Sequence, residues 1–319
     1  MVVVLLVGTG ASLLVGPAPI APGRLLAALG PHGDPMVRAI VLEFRLPRTL
    51  LALLVGAMLG GGGASLQGYL RNPLAEPSVL GVSGMASLGA VVALYYGLAD
   101  GHGWVLPLFA VAGALAALLP LLRLSARSEG PLALILAGVA ISSLAGAGIS
   151  LALNLAPNPF AASEIMSWLL GSLENASTKD LWIAAPCVAV GLALLLRDGR
   201  ALDALSLGED SARTLGVDLR AVRWRLLFGL AIGIGGAVAV SGTIGFVGLI
   251  VPHLVRPLTD RSPSASLLPS ALGGALLLLL ADIAVRAIPS STPLKLGVLT
   301  AFLGVPVFLH LLARERRLW

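Results

Sequence analysis

Apolar runs about as long as a lipid bilayer is thick follow one another along almost the whole chain, and no other feature constrains the fold as strongly. Of the 319 residues, 57% are apolar and 12% are charged, whereas soluble domains carry about 25% charged residues. One spanning helix takes about 20 residues, so ten spans and their connections fill the chain. The pattern predicts an all-α polytopic membrane protein that forms a single domain over residues 1–319.

Charges and clusters of proline and glycine divide the chain into ten candidate spans. Their approximate bounds are 2–17, 50–70, 79–98, 104–122, 132–155, 181–196, 226–243, 249–258, 266–288 and 296–312. The stretch from Leu226 to Leu258 is too long for one helix, so we divide it into a full helix and a short one. Residues 2–17 are similar to a signal peptide, but no basic residue precedes the apolar run, which favours a short first span.

The basic residues predict the orientation. With ten spans, 14 of the 21 lysine and arginine residues fall on the side of the two termini. Because cytoplasmic loops are enriched in basic residues, both termini are predicted to be cytoplasmic. The seven on the opposite side are Arg24, Arg38, Arg45, Arg48, Lys179, Arg286 and Lys295. No run of basic residues predicts a nucleic-acid partner, and the four histidines lack any metal-binding spacing, so no metal site is predicted.

Residues 197–225 form the most polar segment and are predicted to lie in the cytoplasm. Ser206 and Glu209 have the spacing of a capping box, which predicts a helix of about nine residues ending at Gly216. Asp218 is placed to cap a second helix that continues into the next span. Spacing alone leaves two interpretations open, a compact docking element and a solvated connector.

Several long motifs resemble one family. They are LSLGEDSARTLGV at 205–217, RLPRTL at 45–50, QGYLRNPLAEP at 67–77, LGVSG at 80–84, GTIGFVGLIVPHLVR at 242–256, LADIAVR at 280–286 and LGVLTAFLGVP at 296–306. Together they resemble the FecCD/BtuC-type permeases, the transmembrane subunits of type II ABC importers for ferric siderophores, haem or cobalamin. The resemblance runs from about Arg45 to Leu312 and departs at the N-terminus, where the family usually has a basic tail and a longer first span.

The resemblance implies partners and a location. In this family two permeases, here a homodimer, assemble with two ATPase subunits and receive substrate from a periplasmic or lipid-anchored binding protein at the bacterial inner membrane. The chain has no G-x-x-x-x-G-K-[ST] loop, so it is predicted to be no enzyme and to hold no cofactor, ATP and Mg being bound by the partner ATPase. The residues matching the family's ATPase-coupling positions are Leu207, Gly208, Glu209, Ala212, Leu215 and Gly216.

Three arginines on the predicted outer side match positions that receive the binding protein: Arg45, Arg48 and Arg286. Arg48 follows Pro47 at a predicted helix start, where the helix dipole disfavours a cation. Snorkelling to lipid headgroups is the alternative interpretation. Asp282 lies inside an apolar run and one helical turn before Arg286, which predicts an i,i+4 pair that presets the arginine. Proton transport by Asp282 is the minor alternative.

The resemblance also places a gate and a path. The turn formed by residues 72–77, with Asn72-Pro73 and Glu76-Pro77, and the following Gly81, Ser83 and Gly84 match the family's cytoplasmic gate. The family's fifth and tenth spans face the path. The polar candidates there are Ser142, Ser143, Asn154 and Thr300, with Ser150 beside them. Gly138, Gly146 and Gly148 suit close helix packing better than pore lining.

Three classes of function stay in competition. A binding-protein-dependent importer is favoured, with a ferric siderophore as first substrate and haem and cobalamin behind it. An ion-coupled secondary transporter should carry several intramembrane carboxylates or histidines, and Asp282 is the main candidate. An intramembrane enzyme needs convergent catalytic groups, and no such set is evident in the sequence.

Overall fold

The computed structural model of the protein describes residues 1–16, 20–28, 30, 34–98, 103–127, 131–260, 262–288 and 293–315. Within these ranges the chain is helical throughout, with short connections and no strand. The helices are α1 (Val2–Leu14), α2 (Pro22–Ala28), α3 (Pro35–Ala39), α4 (Leu46–Leu70), α5 (Val82–Tyr95), α6 (Val105–Ala116), α7 (Leu118–Arg127), α8 (Pro131–Asn154), α9 (Pro159–Leu169), α10 (Thr178–Arg197), α11 (Gly199–Ser206), α12 (Glu209–Thr214), α13 (Leu219–Ser241), α14 (Val247–Val255), α15 (Pro263–Ala287) and α16 (Leu296–Glu315). A π-helix, Ile40–Arg45, joins α3 to α4, and 3₁₀ helices occupy Pro77–Leu80 and Arg256–Leu258.

Each of the ten predicted apolar segments contains an apolar helix. Among the described residues, six helical stretches are long and apolar enough to cross a bilayer: Pro35–Leu70, Val105–Leu124, Leu132–Asn154, Thr178–Arg197, Leu219–Ser241 and Pro263–Ala287. Four others are shorter, Val2–Leu14, Val82–Tyr95, Val247–Leu258 and Leu296–His310. The all-helical membrane fold is confirmed, while the number of crossings and the side of the termini stay predictions.

The second span begins earlier than predicted, and the prediction of a helix start at Pro47 is wrong. Helical backbone runs without a break from Pro35 to Leu70. The π-helix just before Leu46 shifts the hydrogen-bond pattern from i→i+4 to i→i+5, which accommodates a proline that lacks an N–H group. Arg45 and Arg48 therefore lie within a helical stretch, and the dipole argument for Arg48 no longer applies.

The division of residues 226–258 into a full and a short helix is confirmed. The chain leaves α13 at Gly242, which has φ +64°, and enters α14 after Phe246, which has φ +67°. A left-handed conformation is costly for a residue with a side chain as bulky as phenylalanine. The break is therefore held by the surrounding structure and is more than a loose connection.

α4 is the central helix of the molecule and packs against α10, α13, α14 and α15. Its antiparallel contact with α15 is a backbone contact, because Gly56 faces Gly274 and Gly60 faces the carbonyl oxygen of Ser270. A Cβ at Gly60 would overlap that oxygen. Gly56 and Gly60 thus form a G-x-x-x-G contact, which lets two helices approach closely.

The α4–α15 pair spans the molecule. Each helix has 25 residues, which corresponds to a length of about 37 Å. Because the two helices are antiparallel, the beginning of α4 and the end of α15 lie together at one end. The end of α4 and the beginning of α15 lie at the other. The predicted docking arginines are at the first end and the predicted coupling segment is at the second.

Candidate docking and coupling sites

Asp282, on the last part of α15, is fully buried and binds two arginines. Arg48 donates from Nε to Oδ1 at 2.9 Å and places Nη2 2.8 Å from the same oxygen. Arg286 Nε forms an ion pair with Oδ2 at 3.0 Å. The same Nε donates a hydrogen bond to the Asp282 backbone carbonyl oxygen at 3.4 Å. The predicted i,i+4 pair of Asp282 and Arg286 is confirmed. We call Arg45, Arg48, Asp282 and Arg286 the arginine cluster.

The arginine cluster also binds the C-terminal end of α1. Arg45 donates from Nη1 to the carbonyl oxygens of residues 13 and 14 at 2.7 and 2.8 Å. Arg286 donates from Nη1 to the carbonyl oxygens of Ser12 and Val15, both at 2.8 Å, and from Nη2 to Ser12 Oγ at 2.6 Å. The last carbonyls of a helix have no partner within it and carry partial negative charge. Two guanidinium groups thus satisfy the end of α1.

Sequence reasoning did not predict these contacts. The pairing of Arg48 with Asp282 had a signal, since both charges lie in apolar surroundings near one predicted membrane edge and have opposite signs. The use of Arg45 and Arg286 at the end of α1 had none, because the acceptors are backbone carbonyls. The exposed fraction is 6% for Arg45, 16% for the side chain of Arg48 and 6% for that of Arg286. Docking by these arginines stays a prediction.

The coupling segment, residues 197–225, folds into two short helices, but the predicted capping box is wrong. Ser206 is the last residue of α11, and its hydroxyl donates to the carbonyl oxygen of Asp203 at 2.6 Å. The helix α12 starts instead after Gly208, whose φ of +105° breaks the chain direction. Burial of the apolar residues Leu202 and Leu205 stabilises α11, and this tertiary contact outweighs the local capping signal.

The other two predicted boundaries of the coupling segment are confirmed. Gly216 ends α12 with φ +82°, and the N–H of Val217 reaches the carbonyl oxygen of Ala212 at 3.0 Å, the pattern of a Schellman motif. Asp218 caps α13 by accepting from the N–H groups of Arg220 and Ala221. Both ends of the short helix α12 are therefore defined by backbone geometry.

The six predicted coupling residues divide by orientation. Leu207 and Leu215 are 67% and 64% exposed, one before and one after α12. Ala212 is fully buried beneath them, and Glu209 lies 3.9 Å from Arg213 at the surface. The glycines Gly208 and Gly216 form the two bends just described. This arrangement presents two apolar side chains outward from a base that is fixed to the core.

Polar contacts join the coupling segment to both central helices. Arg223 of α13 donates to the hydroxyl of Tyr69 near the end of α4 at 2.9 Å. Asp203 of α11 accepts from the N–H of Ser264 at the start of α15 at 2.9 Å. The α4–α15 pair therefore contacts the coupling segment at one end and carries the arginine cluster at the other.

The turn after α4 is bound to the start of α14. Glu76 accepts the N–H of Phe246 at 2.7 Å, and the His253 ring lies 3.1 Å from the carbonyl oxygen of Pro73. Burial raises the pKa of the Glu76 carboxyl, and the Phe246 N–H offsets part of that increase by stabilising the charged form. Sequence reasoning missed this contact, because an acidic residue in a predicted loop gives no sign of burial.

The predicted gate residues lie where the Pro77–Leu80 turn meets α8. Gly81 has φ +76°, and a Cβ there would come within 2.6 Å of the Ile141 side chain. A Cβ at Gly84 would meet Ala145 at 3.3 Å. Ser83 is half-buried. The two glycines thus allow a close approach of α5 and α8, and a gating role stays a prediction.

The predicted path residues differ in exposure. Ser143 and Asn154 are exposed on α8, and Ser142 donates to the carbonyl oxygen of Ser78 at 3.3 Å. Thr300 is buried and bonds within its own helix. Ser143 and Asn154 are therefore the better candidates for contact with a passing molecule.

The α8 glycines predicted to pack are also divided. Gly138 contacts the carbonyl oxygen of Val79 and Gly148 contacts Leu88, whereas a Cβ at Gly146 would meet nothing within 4 Å. Close packing therefore explains Gly138 and Gly148 and does not explain Gly146.

An apolar cavity of about 730 Å³ opens between α9, the chain break before α14, and α16. Its lining includes Leu170, Phe246, Val298 and Phe302, and Thr243 supplies a polar side chain. No group of three or more His, Cys, Asp or Glu side chains suited to a metal ion occurs among the described residues. The cavity offers apolar surface with little hydrogen bonding.

A bundle of apolar helices, with a break between α13 and α14 and a polar segment at one end, is the architecture of a polytopic membrane protein. The chain belongs to the FecCD transport family, whose model matches residues 4–314. It is a transmembrane permease subunit of an ABC importer of the metal-chelate or cobalamin type. Membership implies an ATPase and a substrate-binding partner.

The relatives agree with this assignment. The uncharacterised ABC transporter permease YvrB of Bacillus subtilis is 42% identical over 292 residues, which cover 89% of this chain and 81% of the relative. The vitamin B12 import system permease BtuC of Citrobacter koseri is 39% identical over 318 residues, with 99% and 93% coverage. A solved transporter assigned to the metal-chelate type, in an inward-facing conformation, aligns with TM-score 0.88 and 31% identity over 98% of this chain and 97% of its own.

Proposed function

We propose that this permease works as a homodimer with two ATPase subunits and moves a metal chelate across the bacterial inner membrane. A periplasmic or lipid-anchored binding protein delivers the chelate, and ATP and Mg are bound by the ATPase rather than by this chain. The relatives named as permeases of a vitamin B12 import system support the import role. The substrate in their names guides the choice of compounds to test.

The coupling segment carries the proposal. Leu207 and Leu215 are apolar, largely exposed and separated by one short helix, and exposed apolar side chains that lie close together mark contact sites. Because Ala212 anchors α12 to the core and Asp203 ties α11 to α15, a displacement of this surface by an ATPase reaches the central helices. A solvated connector would need none of these anchors.

The substrate is proposed to be a chelate of low net charge. The segments predicted to face the path, 132–155 and 296–312, contain no Asp, Glu, Lys or Arg, and an unpaired charge near apolar walls is costly. Cobalamin and neutral ferric siderophores meet this condition better than haem, which carries two carboxylates. The relatives named for vitamin B12 import make cobalamin the first compound to test beside the predicted ferric siderophore.

The secondary-transporter alternative finds no support in the geometry. A proton carrier must exchange its proton with water, but Asp282 is fully buried and enclosed between Arg48 and Arg286. Opposite charges on both sides of the carboxylate point to a structural role.

Reconstituted vesicles separate the two mechanisms. The permease, its ATPase and its binding protein are inserted into vesicles, and uptake of cobalamin and of a ferric hydroxamate is measured with and without ATP. Uptake should require ATP hydrolysis and the binding protein, and it should be indifferent to a proton gradient. Uptake driven by the gradient in the absence of ATP would overturn the proposal.

A further inference from the structure

α1 is a peripheral helix that is held mainly at one end. Of its 13 residues only Gly8 and Ser12 are buried, and it packs chiefly on α15, where Gly8 faces Leu279. Residues 2–4 and 6–7 are exposed apolar side chains. The arginine contacts at Ser12–Val15 are therefore the principal polar attachment of α1 to the central helices.

The three arginines of the cluster differ in how many of their N–H donors bind other parts of the chain. Arg286 uses Nε, Nη1 and Nη2 on Asp282 and α1, and Arg45 directs Nη1 at two α1 carbonyls. Arg48 uses Nε and Nη2 on Asp282, while its Nη1 makes no hydrogen bond to the described residues. An external carboxylate can therefore reach Arg48 directly, but it meets Arg45 and Arg286 only by replacing the end of α1.

We propose that the C-terminal end of α1 is an internal competitor that occupies Arg45 and Arg286 until carboxylates of the substrate-binding protein displace it. This inference rests on the proposed docking of that protein at the arginine cluster. The exchange is favourable at the arginines, because a carboxylate carries a full negative charge and can accept two parallel N–H bonds from one guanidinium, whereas a helix-end carbonyl carries only a partial charge. The small buried surface of α1 keeps the opposing cost low.

Two features suit the cluster to such an exchange. Asp282 contacts Arg48 and Arg286 through bonds that do not involve α1, so these two arginines keep a counter-charge when α1 leaves. A hydroxyl pair, Ser12 Oγ and Thr49 Oγ1 at 2.7 Å, joins α1 directly to α4. This pair carries no charge, and it can be changed without substituting any arginine, although Ser12 Oγ also accepts from Arg286 Nη2.

The test locks α1 through that hydroxyl pair. Ser12→Cys and Thr49→Cys are combined in a Cys187→Ala background, and the two side-chain positions are close enough for a disulfide, since their oxygens are 2.7 Å apart. Capture of the substrate-binding protein by the permease–ATPase complex is measured in one preparation, oxidised and then reduced. Oxidation should weaken capture about tenfold or more, and reduction should restore it. Equal or tighter capture by the oxidised form overturns the inference.

A second variant loosens the same contact. Ser12→Ala removes the acceptor of Arg286 Nη2 and the partner of Thr49, so capture should tighten by about threefold. Thr9→Ala is the matched control, because the Thr9 hydroxyl bonds to the Leu5 carbonyl oxygen within α1 and makes no hydrogen bond to an arginine in the described part of the chain. Weaker capture by Ser12→Ala would mean that α1 holds the arginines in the orientation that binds the partner, and it would refute the proposal that α1 competes with the partner.

The parent protein separates the two levels of proposal. If the Cys187→Ala parent captures no binding protein, the proposed docking fails and the competitor fails with it. If the parent captures it and the disulfide has no effect, docking stands and the role of α1 alone is refuted.

Discussion

The two ends of the α4–α15 pair differ in whether their proposed binding groups are already in contact with the rest of the chain. At the arginine cluster three cations are almost fully used inside the chain, by Asp282 and by the end of α1. At the coupling segment, Leu207 and Leu215 stay exposed on either side of α12, whose Ala212 is buried against the core. One end must give up internal contacts before it can bind a partner, whereas the other presents its contact surface already formed.

The difference suits what each end is proposed to bind. A binding protein that must be released after delivery needs a contact that can be reversed, and competition with an internal ligand lowers the apparent affinity by the fraction of molecules in the competent state. An ATPase that stays attached through many cycles needs a permanent contact. Each variant below disturbs one side of this comparison.

Asp282→Asn should have the largest effect, at the arginine cluster. The amide leaves Arg48 and Arg286 buried without their counter-charge, which costs about 3–5 kcal/mol. Thermal unfolding of the purified permease in detergent measures the loss. The double variant Asp282→Leu with Arg48→Met is the control, since it keeps the net charge of the cluster unchanged and leaves only Arg286 without its partner, so it should be less destabilised. Equal losses in both variants would show that the carboxylate does not balance the cations.

Leu215→Glu should come next, at the coupling segment. A charge at one of the two exposed leucines should weaken ATPase association by about 2 kcal/mol or more, as at other interface hot spots. Leu215→Met keeps the apolar volume and is the matched control. Because Leu215 is exposed, the unfolding temperature of the permease alone should not change. Unchanged copurification of the ATPase with Leu215→Glu would remove this surface from the interface.

Gly60→Ala should act on the connection between the ends, with a loss of about 1–3 kcal/mol. The new Cβ would overlap the Ser270 carbonyl oxygen, and backbone cannot give way as a flexible side chain can. Gly10→Ala on α1 is the control, because a Cβ there meets nothing within 4 Å. If Gly60→Ala unfolds at the temperature of the Gly10→Ala variant, α4 and α15 are not in backbone contact.

Particular residues show how far the sequence could predict this molecule. Apolar runs located the helices, because burial in lipid or protein demands them, and Gly216 and Asp218 marked true boundaries through local backbone chemistry. Ser206 misled, because its capping signal is local and the burial of α11 decides the helix. Pro47 misled for a similar reason, because the π-helix just before it allows helical backbone to continue past a residue that has no N–H group.

The candidate sites were predicted by residue but only in part by contact. Charge scarcity singled out Arg45, Arg48, Arg286 and Asp282, and the spacing of the last two predicted their pair. The end of α1 could not be predicted as a ligand of the arginines, because backbone carbonyls are the same in every sequence and only the tertiary structure brings them to the cluster. Tertiary contacts of this kind have no period and no motif.

Glu76→Gln should have the smallest effect and sharpens the comparison through a second, half-buried carboxylate. Asp282 faces two cations, but Glu76 faces the N–H of Phe246, and burial raises its pKa. The folded chain therefore binds this proton more tightly than the unfolded chain, so stability falls as the pH rises from the ordinary carboxyl range through the raised pKa and is level above it. Glutamine still accepts the N–H and cannot ionise, so the stability of the variant is level over that window.

The free energy of unfolding is measured across pH, with the exposed Glu164→Gln as control. Glu76→Gln should exceed the parent in stability by the largest amount at the upper end of the window. Parallel profiles for the parent and Glu76→Gln would show that the pKa of the Glu76 carboxyl is not raised in the folded chain.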